Sequence, residues 1–261
     1  MMQELSDTQN EQDTRQIPID RVGVKGLRFP IEVRDKGMKS QATIATVALT
    51  VDLAAHLKGT HMSRFVEALQ ADGNVLDVSS LQRVPRALLD KLVAEKAHVT
   101  YQFPYFISKA APVTGKPGLV DYEVRFEIEV RTDGSSDIVT TVFVPVATLC
   151  PCSKAISERG AHNQRGLVTF SVRTLEPVWV EDLIAIAESS ASCELFSLLK
   201  RPDEKAVTER AFDNPVFVED LVRNVAAQAN AHEAIAWYRV EAENFESIHN
   251  HSAYAVIEKS K

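Results

Sequence analysis

The sequence predicts an α+β fold in which antiparallel sheets carry helices on one face, with that arrangement present twice in tandem. Three observations predict it. Long stretches alternate apolar and polar residues with the strand period of two, instead of running continuously apolar as strands buried on both faces do. Helix-period stretches come in pairs between those strands. The order strand, strand, helix, helix, strand, strand then recurs in the second half, with no residue-level repeat accompanying it.

Residues 22–33 (VGVKGLRFPIEV) and 45–53 have the strand period and read as a hairpin. Thr60 is placed to cap a helix starting near His61, with Met62, Phe65, Val66 and Leu69 along one stripe. Ser79 or Ser80 is placed to start a second, striped by Leu81, Val84, Leu88 and Leu92, with Pro85 in its first turn. Period two returns in 98–106 and in 120–130, where Val120, Tyr122, Val124, Phe126, Ile128 and Val130 alternate without a break. The second round has strands at 138–149 and 167–175, a helix from about Val178, a helix over 215–231, and closing strands at 234–242 and 252–258. The expected organisation is a disordered polar tail over 1–16, a first unit over 17–134 and a second over 135–261. A strand as long as 120–130 left unpaired invites aggregation, so closure of the sheets by symmetric assembly is expected.

The chain has 261 residues, with 29 Lys+Arg against 36 Asp+Glu and a net charge of −7. That balance argues against a surface that wraps nucleic acid through its phosphates, although a local basic pocket is compatible with it. No apolar run reaches the roughly 18 residues of a membrane span. The amino end, MMQELSDTQNEQDTRQ, has neither the basic start nor the apolar stretch of a secretory signal, so the expected location is the cytoplasm. Three cysteines, Cys150, Cys152 and Cys193, are too few for a disulfide framework.

The chemistry-bearing residues concentrate in the second half. Segment 149–166, LCPCSKAISERGAHNQRG, follows a strand and reads as a loop. In it Cys150 and His162 are ligands of the type that hold zinc or a similar ion, and a thiolate near Lys154 and Arg165 would be favoured by their charge. Alone the signal is modest, because C-x-C is not the C-x₂-C of a zinc finger and buried thiols are commoner than ligands. Near the carboxyl end Glu243, Glu246, His249 and His251 crowd together, as a metal site, a proton-transfer site or a solvated turn would have them. Glu204 and Glu219 taken singly are surface acids, Glu219 at a helix start where the dipole favours it. Lys58, His61 and Arg64 at a helix start could meet an anion. No function is assigned to His56, His98 or His232.

The segments IPIDRVGVKGLRFPIEVRDK, KGTHMSRFVEAL, LCPCSKAISERGAHNQRG and ENFESIHNHSAYA, in this order, strongly resemble the type IB GTP cyclohydrolase I family over residues 17–255. The resemblance implies conversion of GTP and water to 7,8-dihydroneopterin triphosphate and formate, the first step toward tetrahydrofolate and a source for deazaguanine nucleosides. It implies the tunnelling fold, in two tandem units of antiparallel sheet with two helices each. It also implies a homotetramer with barrels closed between subunits and active sites at their junctions. Carried over by residue, Cys150 and His162 resemble the catalytic pair and metal ligands, with Glu204, Glu246 and His249 as further positions at a divalent ion, whether manganese, iron or zinc. Glu219 resembles the acid that anchors the purine, and Lys58, His61, Arg64 and Arg165 are the basic candidates for the triphosphate. Two other readings compete: a tunnelling-fold nitrile reductase, in which the cysteine attacks the substrate, and a non-enzymatic protein with a structural metal.

Overall fold

The computed structural model describes residues 7–37, 39–77 and 80–261. The chain forms two compact units. One runs up to Phe103 and takes in Arg125–Val139; the other comprises Pro104–Val124 and Thr140–Lys261.

In the first unit, β1 (Ile19–Arg34) and β2 (Ser40–Leu53) form the expected antiparallel hairpin. Its register slips between Val24 and Leu27, where Gly26 takes φ +74°, the left-handed conformation a bulge of this kind requires. After β2 come α1 (Met62–Asp72), the short β3 (Val75–Leu76) parallel to β1, α2 (Arg83–Leu92) and β4 (Lys96–Ala110), which pairs with β2. Ala45, Val47, Leu49 and Val51 alternate inward along β2, and Phe65 and Leu69 of α1 with Val84 and Leu88 of α2 bury against the hairpin. Each such large side chain contributes roughly 1.5–3 kcal/mol of burial.

The next strands are β5 (Pro117–Arg131) and β6 (Ser136–Leu149). The division between the units falls inside β4, β5 and β6. The second unit continues with α3 (Pro151–Ile156), β7 (Asn163–Thr174), α4 (Val180–Ser189), the short β8 (Cys193–Glu194), α5 (Arg201–Asp213), α6 (Val218–Ala231), β9 (Ile235–Asn244) and β10 (Ala253–Ser260). β7 lies antiparallel between β6 and β9, and β10 pairs with β9. Val142, Val144, Phe170, Val172 and Val240 face inward, covered by Leu221 and Val225 of α6 and Leu183 of α4.

Four local expectations are corrected. His61, not Thr60, is the residue that precedes α1, and no side chain caps that helix. Gln82, not Ser80, precedes α2; Ser80 instead bonds back to Asp77, whose Oδ1 accepts its N–H at 2.9 Å. Ser79 lies outside the described residues. Segment 149–166 is not all loop, because Cys150 caps α3 and Pro151 opens it, a start that needs no backbone donor at that position. A helix too short for two turns shows no periodicity. Finally, α5 adds a helix to the second round. It is polar on nearly all sides, with only Asp203 and Ala211 buried, so no apolar stripe announces it.

Candidate active site

A cavity of about 290 Å³ opens in the second unit. Cys150 enters it from the start of α3, His162 and Gln164 from the start of β7, and Glu219 from the first turn of α6. Glu246, His249 and His251 enter from the connection between β9 and β10.

Backbone hydrogen bonds hold the two central residues together. Cys150 N–H donates to the His162 carbonyl at 3.1 Å. Ser153 completes the link: its hydroxyl accepts the His162 N–H at 3.1 Å and donates to the Cys150 carbonyl at 3.1 Å. The Ser153 N–H also points at Cys150 Sγ, 3.4 Å away, so the sulfur is the cap of α3. Lys154 holds the other end of this turn, donating to the Phe212 carbonyl with its ammonium 4.3 Å from the Phe212 ring centroid. Val216 N–H bonds the Leu149 carbonyl at 3.0 Å, bringing the approach to α6 beside Cys150.

His162 is largely enclosed, its side chain 13% exposed. Its Nδ1 lies 3.0 Å from Gln164 Oε1 and 3.7 Å from Glu246 Oε2. His249 and His251 stack with ring centroids 5.1 Å apart. Asn244, 2% exposed, also lines the cavity. It fits because Gly166 opposite has no side chain: a Cβ there would stand 2.7 Å from Asn244 Oδ1. Phe245 N–H bonds the Arg165 carbonyl at 2.9 Å and so starts the β9–β10 connection against β7.

The other residues singled out from sequence lie elsewhere. Glu204 is exposed on the first turn of α5 and does not line the cavity. Arg165 follows Gln164 on β7, and strand alternation turns its side chain to the opposite face. Lys58, His61 and Arg64 belong to the first unit. There Lys58 pairs with Glu11, His61 Nε2 lies 3.2 Å from Asp7 Oδ2, and Arg64 donates to the Lys91 carbonyl at 3.1 Å. Gln164 and Asn244 escaped the sequence reading. The signal available was position: Gln164 is two residues beyond His162, the spacing that places both on one face of an extended strand.

The sulfur, imidazole and carboxylate donors that face this cavity, Cys150, His162, Glu246 and His249, suit a borderline divalent ion. Among the described residues, no three such side chains are grouped closely enough to hold one as they stand. Cys193 is separate: buried, with its thiol 3.4 Å from Glu194 Oε2, it is pushed up to about 11 by burial and then by that carboxylate. Cys152 is exposed.

Comparison with known proteins identifies the family and the fold. The family model described as type I GTP cyclohydrolase folE2 matches residues 5–255. GTP cyclohydrolase FolE2 of Akkermansia muciniphila is 65% identical over 260 residues, covering 99% of this chain and 98% of its own. The FolE2 protein of Methylobacillus flagellatus is 54% identical over 257 residues, covering 98% and 96%. Among solved structures, a highly active mutant of Bacillus sp. TB-90 urate oxidase superposes with a TM-score of 0.56 at 9% identity, covering 93% of this chain and all of that one. Uricase from Arthrobacter globiformis gives 0.52 at 10% identity, covering 92% of each. At such identity these likenesses concern the fold alone, which is the α+β tunnelling fold. With a family match over nearly its whole length and relatives above half identity, the chain belongs to the type I GTP cyclohydrolases of the folE2 family.

Proposed function

We infer that the cavity of the second unit is where this GTP cyclohydrolase holds the guanine of GTP and hydrolyses its imidazole ring, releasing C8 as formate and leaving 7,8-dihydroneopterin triphosphate. The observation that carries the inference is the convergence of Cys150, His162, Glu219, Glu246 and His249 on one cavity. Glu219 offers two carboxylate oxygens to the adjacent N1–H and 2-amino donors of guanine, a contact that orients the base as well as binding it. His162 and His249 are the groups that move protons, because imidazole both gives and takes one near neutral pH. One of them protonates the ring nitrogen as the C8–N9 bond opens, and proton transfers recur through formate release, ribose rearrangement and pterin closure. Two waters enter and one leaves at ring closure, so a single water is consumed overall.

A divalent ion, manganese, iron or zinc, bound by Cys150, His162, Glu246 and His249 would supply a water acidic enough to attack C8 at neutral pH. The family membership supports a homotetramer with active sites between subunits. In that assembly we place Glu204 as a further ligand and Lys58, His61, Arg64 and Arg165 as the groups that meet the triphosphate. Among the described residues no helix is long and apolar enough to cross a membrane, and supply of GTP is consistent with a cytoplasmic location.

The test is direct. Protein stripped of metal is given GTP with manganese, iron or zinc in turn, and formate and dihydroneopterin fluorescence are followed. Turnover restored by at least one ion is expected, whereas no product with any of them overturns the proposal.

A further inference from the structure

We propose that Gln164 is a positioning residue for His162: anchored on Thr148, its amide holds the proton of the imidazole on Nδ1 and leaves Nε2 with a free lone pair. The proposal deepens the reading of this cavity as the active site and rests on it for its functional consequence, though not for the tautomer itself.

The three side chains form a row across two strands. Thr148 on β6 is the direct cross-strand partner of Gln164 on β7. The Thr148 side chain is fully buried, so its hydroxyl has a fixed set of neighbours and no bulk water to turn toward. Gln164 Nε2 donates to Thr148 Oγ1 at 3.1 Å. The amide is asymmetric, with donors at one end and an acceptor at the other. With its nitrogen on Thr148, its oxygen faces His162, and Gln164 Oε1 lies 3.0 Å from Nδ1.

A rotated amide, its oxygen then accepting the Thr148 hydroxyl, would present a donor to Nδ1 and shift the ring proton to Nε2. A second contact opposes that arrangement. Glu246 Oε2 lies 3.7 Å from the same Nδ1. The amide oxygen accepts a hydrogen from this nitrogen, and the carboxylate, beyond hydrogen-bond distance, favours a hydrogen there over a lone pair through its charge. The rotated form would instead set a ring lone pair against the carboxylate. The Gln164 hydrogen bond therefore sets the Nδ1–H tautomer, and the charge of Glu246 acts in the same direction without being sufficient alone.

The functional consequence follows from which nitrogen is left. Nε2, the atom farther from the backbone, carries the lone pair that can bind an ion or accept a proton. Outer partners of this kind, which hold the second nitrogen of a working histidine, typically change affinity or activity by about 10–100-fold when removed. Gln164 touches neither substrate nor ion in this scheme; it acts through His162.

The tautomer is read in the metal-free full-length protein by long-range proton–nitrogen NMR of His162, at about pH 9 where imidazole is neutral. The expected result for the natural sequence is a single Nδ1–H form. Gln164→Glu keeps that form, because a carboxylate offers only acceptors. Gln164→Leu loses the preference, and its turnover falls about 10–100-fold. Thr148→Val frees the amide to rotate and yields both tautomers, which keeps the proposal testable should the leucine variant fail to fold. An Nε2–H form in the natural sequence, or an unchanged Nδ1–H form with full turnover in Gln164→Leu, overturns the proposal. Failure of the site reading has a separate signature: His162→Ala retaining full turnover removes the cavity from the chemistry while leaving the tautomer result intact.

Discussion

Cys150 and His162, twelve residues apart in sequence, are joined by a hydrogen bond of 3.1 Å from the Cys150 N–H to the His162 carbonyl. The pair is thus set by backbone closure, and the side chains remain available for chemistry. Cys150 contributes little to stability beyond its sulfur cap on Ser153 N–H at 3.4 Å.

Cys150→Ala is therefore expected to abolish turnover while the fold persists. Loss of a single cap costs about 1 kcal/mol, equivalent to a fall in Tm of roughly 2–4 °C in a chain of this size. Formate release and thermal unfolding measured on the same preparation separate the two effects. Near-normal turnover would remove Cys150 from the reaction.

Glu219 gives a prediction about selectivity. Glu219→Gln replaces one of the two acceptors by a donor that faces a guanine donor. A hydrogen bond to a charged group is worth about 1.5–3 kcal/mol, so KM for GTP should rise roughly 10–100-fold. Inosine triphosphate lacks the 2-amino group and has less to lose. The ratio of kcat/KM values for GTP and inosine triphosphate should accordingly narrow in the variant, and an unchanged ratio would exclude Glu219 as the guanine anchor.

The long strands were legible because their residues repeat a two-residue period: β2 and β5 read correctly from alternation alone, whereas β3 and β8, two residues each, show no period and were missed. α3 and α5 were not legible either. The first is shorter than two turns, and the second buries only Asp203 and Ala211, so neither carries a stripe. α5 did carry a start signal, Pro202 and acids in the first turn, that an apolar pattern search passes over. In the cavity, Cys150, His162 and the cluster from Glu243 to His251 were candidates by residue type, each a modest signal alone that the family resemblance joined; of the cluster, Glu246, His249 and His251 line the cavity and Glu243 does not. Gln164 and Asn244 are ordinary polar residues whose roles arise from cross-strand register, Gln164 facing Thr148 and Asn244 facing Gly166, which no local window contains. Glu204 marks the opposite limit, since it was found only by resemblance and a single chain leaves it exposed on α5.

Val93 offers a test of backbone strain away from the site. It ends α2 at φ 52° and ψ 46°, a left-handed conformation that is unfavourable for a β-branched residue. Its side chain is 87% exposed, so little packing is lost on replacement. Val93→Gly should stabilise the protein by about 1 kcal/mol, because glycine is the usual residue at such a helix end. The denaturation midpoint in urea measures the change, and a lower midpoint would show that the side chain matters more than the backbone.

Asp203 predicts how stability responds to acid. The carboxylate is fully buried at the start of α5. Its Oδ1 accepts the Val113 N–H at 2.9 Å and the Thr114 N–H at 2.8 Å, while Oδ2 accepts the Thr114 hydroxyl at 2.8 Å and the Lys200 N–H at 2.9 Å. Burial acts to raise its pKa, but these hydrogen bonds outweigh burial and hold it at about 2, below the ordinary 3.8. A carboxyl whose pKa is lower in the folded state stabilises that state above the ordinary value, and the contribution is lost as pH falls through the folded one. Asp203→Asn removes the charge at every pH. The variant should therefore be less stable than the natural protein at neutral pH, and the gap should close as pH drops from 3.8 through about 2. Urea midpoints of both proteins across that range provide the comparison. A gap that persists undiminished to the acid end would mean that Asp203 stabilises the turn by its shape and hydrogen bonds, with ionisation playing no part.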